Sequence, residues 1–137
     1  MKNTKYLLSI LWVFLTVNYI FCDVFSLYNS NFLNALLSGE VDDIEFTESF
    51  LLYFSFIMEI PMLMIILSVL MVDKINSITN ISIGFLMLII QIGSLSIGTN
   101  SLHYIFFSVI EIGTLFFIVH TAWNWYKHTV TTKKNYI

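Results

Sequence analysis

The sequence predicts an all-α fold: a four-helix antiparallel bundle embedded in a membrane. Three observations point there. Composition comes first: of 137 residues, 58% are hydrophobic and 11% are charged, where an ordinary soluble domain carries about 25% charge. The second is four long apolar runs, over about residues 6–27, 50–72, 81–98 and 102–125. Each is close to the roughly 20 residues that, at 1.5 Å rise, cross a hydrocarbon core of about 30 Å. The third is the placement of the lysines. The mean hydropathy of +0.83 agrees, and the four runs leave no room for a separate soluble domain, so residues 1–137 read as one transmembrane domain.

Residues 6–27 follow Lys2 and Lys5, as a secretory signal would. The run is longer than the usual 7–15-residue signal core and ends at the bulky Phe21 rather than at small residues, so it reads as a retained span. Cys22, the single cysteine, excludes an internal disulfide and any Cys-x-x-Cys redox or cysteine-based zinc site. Residues 29–48 form the one long connection. In it Phe32, Leu33, Leu36 and Leu37 share a helical face and Gly39 stands as a stop signal, which predicts a short interfacial helix. Glu40, Asp42, Asp43, Glu45 and Glu48 follow without a basic residue. Their spacing lacks the pattern of a calcium loop, and they read as a solvated acidic rim.

The second run, 50–72, contains one charged residue, Glu59, with Pro61 two positions on. It ends at Asp73-Lys74. The third run leads through Thr99-Asn100-Ser101 into the fourth, where Trp123, Trp125 and Tyr126 stand where a membrane-interface belt is expected. The tail 127–137 is expected to be loosely ordered.

There is no arginine, and the six basic residues are Lys2, Lys5, Lys74, Lys127, Lys133 and Lys134. With four spans, all six fall on one side together with both termini. By the positive-inside tendency that side is the cytoplasm, and the acidic loop faces outward.

That topology gives the polar residues of the runs comparable depths. Glu59 and Glu111 each lie about nine residues, or roughly 14 Å, from the outer end of their runs, with Gln91 at roughly 10 Å and Asp23 at roughly 7 Å. Helical spacing groups Trp12, Thr16, Tyr19, Asp23 and Ser26 on one stripe, and Ser55, Glu59 and Met62 on another. Gly84, Met87, Gln91, Ser94 and Gly98 form a small, polar face for close packing, and Tyr104, Ser108, Glu111 and Thr114 form the fourth stripe. Each stripe is expected to face into the bundle, where polar groups find partners. His103 is the one basic candidate near the outer mouth. The expectation is therefore a pocket in the outer half in which Glu59 and Glu111 are protonated, share a proton or hold an external cation. Tyr19, Asp23, Ser55, Gln91, Ser94, His103 and Ser108 are its other candidate residues. Carbonyls near residues 55–57, released by Pro61, would join it. The structural alternative is that neutral glutamic acids bridge helices by hydrogen bonds worth about 0.6–2 kcal/mol each.

Tyr19-Ile20, Asp23 to Tyr28, Leu36 to Gly39, Glu59-Ile60-Pro61, Ile110-Glu111 and Ala122-Trp123-Asn124-Trp125 resemble a family of small bacterial four-span membrane proteins filed as a domain of unknown function. The resemblance runs through nearly the whole chain and implies a bacterial inner-membrane four-helix bundle. It supplies no activity and no functional residue. In build the chain is also similar to DoxX-like proteins, some linked to quinone or thiol chemistry, but it lacks their cysteine pair.

Three functions fit these observations. One is binding or transport of a small molecule or cation in the outward-facing pocket, with a homo-oligomer or partner subunit completing a thin four-helix wall. Another is a quinone-linked redox subunit, with Tyr19, Asp23 and His103 transferring protons. The third is an accessory subunit that docks through the 32–37 helix or the acidic rim. No nucleophile–base pair, metal-ligand spacing or paired haem histidine is present, so no catalytic residue, metal or cofactor is assigned. Nucleic acid is excluded by the net charge of −3 and by the lipid setting.

Overall fold

The fold was analysed in a computed structural model that describes residues 2–41, 44–96 and 100–134. Asp42 and Asp43 of the acidic loop, Gly98 of the third-span stripe, Thr99 and residues 135–137 of the tail lie outside the described residues, as do the side chains of Lys2, Lys133 and Lys134.

Apolar runs too long for strands fold as helices. The described residues form α1 (Lys2–Leu27), α2 (Ser30–Ser38), α3 (Glu48–Leu70), α4 (Asp73–Leu95) and α5 (Leu102–Lys134). A two-residue strand pair, β1 (Glu40–Val41) and β2 (Ile44–Glu45), lies between α2 and α3 and is antiparallel. Short polar residues set the ends. Asn29 accepts from the Asn31 and Phe32 amides to open α2, and Gly39, at φ 85°, closes it in the left-handed conformation that glycine adopts without strain. Thr47 accepts from the Phe50 amide to open α3.

Two predicted boundaries move. The third apolar helix begins at Asp73 rather than near residue 81, because Asn76, Ser77 and Asn80 are fully buried helix residues, not a polar connection. The last helix continues to Lys134, through residues expected to be loosely ordered.

Helix α5 packs chiefly on α4 and α1, α3 chiefly on α1, and α3 touches α4 only slightly. Leu8, Trp12, Leu15, Met64, Met87, Leu115, Ile118 and Ala122 make the centre of the core. Gly84 lets α4 approach α5, since a Cβ there would stand 2.6 Å from Val119 Cγ2. Trp125, expected in an interface belt, is instead buried in this core, while Trp123 stays exposed with Lys127 Nζ 5.5 Å from its ring.

One end of the bundle holds the start of α1 and the α3–α4 turn. There Lys5 Nζ lies 3.1 Å from Asp73 Oδ1 and also donates to the Met71 carbonyl. Just inside this lysine end, Trp12 Nε1 donates to Asn80 Oδ1 at 2.7 Å, Asn80 Nδ2 donates to Asn76 Oδ1 at 2.7 Å, and Asn76 Nδ2 donates to the Ser68 carbonyl at 2.6 Å. Ser9 Oγ donates to the Ile65 carbonyl. The result is a buried polar clasp joining α1, α3 and α4.

Much of the remaining outer surface is apolar, with Phe14, Phe21, Phe56, Ile89, Phe106, Val109 and Phe116 all exposed. Soluble monomers rarely expose contiguous apolar patches beyond a few hundred Å². Four of the helices are long and apolar enough to cross a membrane, and together these features suggest a membrane protein.

Candidate functional site

At the opposite end, α1, α4 and α5 bring together a second polar group. Gln91, one turn from the end of α4, donates through Nε2 to Glu111 Oε2 at 2.7 Å and to Ser108 Oγ at 3.1 Å. Ser108 and Glu111 are almost one helical turn apart on α5, so both face α4. Glu111 is 1% exposed. Beside them Tyr104 Oη donates to Ser94 Oγ, and Ser94 Oγ donates to the Gln91 carbonyl, both at 2.8 Å. From α1, Tyr19 is buried, and Asp23 lies close enough to Glu111 for the two carboxyls to interact electrostatically. Tyr19 and Tyr104 are within the same range of Glu111.

The hydrogen-bond accounting is incomplete here. Glu111 Oε1 and Tyr19 Oη are buried and have no hydrogen-bond partner among the described residues. Buried polar atoms are nearly always paired, and leaving one unpaired costs about 1–3 kcal/mol. Two such atoms within electrostatic range of each other mark the place where an added donor or cation gains most.

Above this cluster His103 Nε2 lies 3.2 Å from both Ser26 Oγ and Ser101 Oγ, closing the α1–α5 seam. A polar cavity of about 420 Å³ opens over it, lined by Ser26, Asn29, Asn100, Ser101 and His103 and walled by Phe32 and Ala35 of α2. A second cavity of about 350 Å³ lies between α1, α2 and α3, apolar apart from Asp23 and Ser26. Ser26 and Phe32 line both, so the two spaces share a wall.

Of the sequence candidates, Tyr19, Asp23, Gln91, Ser94, Ser108 and Glu111 come together, and His103 stands at the mouth. Ser55 and Glu59 do not join them. Both are exposed, and Ser55 Oγ donates to the Leu51 carbonyl of its own helix. The buried residues of α3 are Pro61, Met64 and Ser68, and at about 100° per residue Glu59 lies nearly opposite Pro61. The expectation that every polar stripe faces inward therefore fails on α3, where the inward face is set by packing against α1. The bend-prone carbonyls before Pro61 lie on this same helix, away from Glu111.

Tyr104, Ser26 and Asn100 belong to the site or its mouth. Tyr104 was visible in the α5 stripe, while Asn100 sits in a connection with no periodicity to place it. The clasp residues Asn76 and Asn80 gave no signal, because a polar segment beside an apolar run reads as a loop. Among the described residues no group of three or more His, Cys, Asp or Glu side chains is placed to hold a metal ion.

Fold and site together define a small all-α chain with four apolar candidate spans and a buried carboxyl, Glu111, with the exposed Asp23 beside it, under a polar mouth. The chain belongs to DUF6326, a family of unknown function whose profile matches residues 1–132. No curated protein and no solved structure matches it.

Proposed function

We propose that this protein is an integral membrane binding module. In this reading it takes up a small cation, or a small polar molecule that donates hydrogen bonds, in an outward-facing pocket built on Glu111. The four apolar helices run antiparallel across a bacterial inner membrane, with both termini and the lysine end in the cytoplasm and α2 lying in the outer interface. Supporting the orientation, Lys5 and Lys74 lie at one end of the helices, and at the other Glu48 opens α3, with Glu40 and Glu45 in the connection before it. Ligand enters through the polar cavity beneath α2, passes His103, and is held by Glu111 with Asp23 and Tyr19 beside it. Glu111 exchanges a proton for the incoming cation, a role that the sequence alone divided between two glutamates. Transport across the membrane would extend this binding step and requires more wall than four helices supply.

The observation that carries the reading is the pair of unpartnered buried atoms, Glu111 Oε1 and Tyr19 Oη, below a polar opening. The test uses the full chain in lipid nanodiscs, with thermal unfolding followed against Na⁺, K⁺ and a series of small primary amines. At least one probe is expected to raise the wild-type midpoint and to lose that effect in Glu111→Gln. Equal responses of the two proteins, or none from wild type, refute the assignment.

A further inference from the structure

The carboxyl of Glu59 is the anomaly that the pocket leaves over. It stands near the middle of α3, on the exposed face of the least buried of the four long helices. The residues that share this face are Leu52, Phe56, Leu63, Ile66 and Leu70, exposed to between 47% (Leu63) and 73% (Leu70). With Glu59 they step along the helix by four, three, four, three and four residues. Steps of three and four keep these residues on one stripe of the helix, so a partner helix lying along it would meet Glu59 at its centre. At about 100° per residue the stripe spans a narrow arc nearly opposite Pro61 and Ser68, so the α1 contact and this seam occupy opposite sides of α3.

An apolar seam by itself fits lipid as well as protein. A carboxyl at its centre does not, because hydrocarbon offers no partner to a polar group and intramembrane acids pair with one another or with other polar groups. We propose that two copies of this chain pair through α3, the Leu52–Leu70 stripes meeting side by side and the two Glu59 carboxyls hydrogen-bonding to each other. A second copy is the occupant the geometry favours. Two copies inserted with the same orientation hold Glu59 at the same depth, and a two-fold axis along the membrane normal brings each seam residue to its own counterpart. A neutral carboxyl is also its own complement, since it carries one O–H donor together with acceptor oxygen. A single polar residue in an otherwise apolar seam is a known device for fixing register and copy number. The pairing lies on the side of α3 away from the Glu111 pocket and rests on the membrane reading alone, not on ligand binding.

The test places the full chain in liposomes at high lipid dilution and counts subunits by single-molecule photobleaching. Wild type is expected as a dimer. Glu59→Leu is expected to raise the dissociation constant about tenfold, the order of one interhelical polar contact in a bilayer. Glu59→Gln retains the dimer, since an amide both donates and accepts. In a Cys22→Ser background, Leu63→Cys forms a symmetric crosslink and Phe116→Cys, exposed on α5, does not. An inserted monomer, undiminished association of Glu59→Leu, capture of the α3 face by a different protein, or equal crosslinking at the two positions overturns the pairing. Extraction of the protein from liposomes by alkaline carbonate would instead overturn the membrane reading beneath it.

Discussion

Asn80→Ala is the sharpest test of how the helices are held. The Asn80 side chain is fully buried and makes four contacts: Oδ1 accepts from Trp12 Nε1 at 2.7 Å and from Ser68 Oγ at 3.3 Å, and Nδ2 donates to the Asn76 carbonyl at 2.9 Å and to Asn76 Oδ1 at 2.7 Å. Truncation leaves the indole N–H and Asn76 Oδ1 without those partners, while the Ser68 hydroxyl loses only a long contact. Two stranded buried groups cost about 2–6 kcal/mol at the usual 1–3 each. Interhelical polar contacts in a bilayer average nearer 0.6 kcal/mol, because the unfolded chain also finds partners there. Both residues left behind are buried away from any exposed face, so about 2–4 kcal/mol is expected once the small cavity is included. Reversible unfolding in mixed micelles measures it, with Asn124→Ala as the control. Asn124 is exposed and bonds to His120 one turn away, and its loss is expected to cost under about 0.5 kcal/mol. A double-mutant cycle with Trp12→Phe isolates the cross-helix bond. A loss for Asn80→Ala no larger than that of Asn124→Ala refutes the clasp as the element joining α1, α3 and α4.

Two further substitutions probe packing and the site. Gly84→Val puts a Cβ 2.6 Å from Val119 Cγ2, where carbon atoms prefer about 3.5–4.0 Å, so α4 and α5 must part. The expected loss is about 1–3 kcal/mol in the same unfolding assay, partly restored by Val119→Ala, which removes the opposing methyl. Tyr19→Phe deletes a buried hydroxyl with no partner among the described residues and keeps the ring. Without ligand it is expected to leave stability unchanged or raise it by up to about 1 kcal/mol, and a clear loss would show that the hydroxyl is already satisfied.

The architecture was legible because each of the four long helices is written as a long apolar run. The short helix between the first two spans was legible too, since Phe32, Leu36 and Gly39 carry both its face and its stop. What periodicity could not supply was direction. On α4 and α5 the polar stripe and the buried stripe coincide, and Gln91 meets Glu111 as expected. On α3 they are opposed: the inward face holds Pro61, Met64 and Ser68, and Glu59 points away from it. A polar residue in an apolar helix requires a partner, but the sequence does not say whether that partner belongs to the same chain. Residues 73–80 failed in the converse sense. Asn76, Ser77 and Asn80 read as a connection, whereas their hydrogen bonds are spent inside the bundle rather than on solvent.

The two polar clusters differ in a way that bears on function. At the lysine end the Trp12 indole and the Ser68, Asn76 and Asn80 side chains all have partners, and such a closed network rigidifies and specifies packing. At the histidine end Gln91 Nε2 bonds both Ser108 and Glu111, yet Glu111 keeps one oxygen unpaired within range of the Tyr19 hydroxyl and the Asp23 carboxyl. Trp125 Nε1 is the third unpartnered buried atom among the described residues, and it lies far along α5 from Glu111. If helix adhesion were the sole requirement, a second closed network of amides and hydroxyls would meet it without acids. A buried carboxyl oxygen of Glu111 within electrostatic range of the Asp23 carboxyl, with no basic side chain among its described hydrogen-bond partners, is a place that added positive charge or a donor would favour. That difference in closure fits adhesion for the Asn80 clasp and supports the binding role proposed for Glu111.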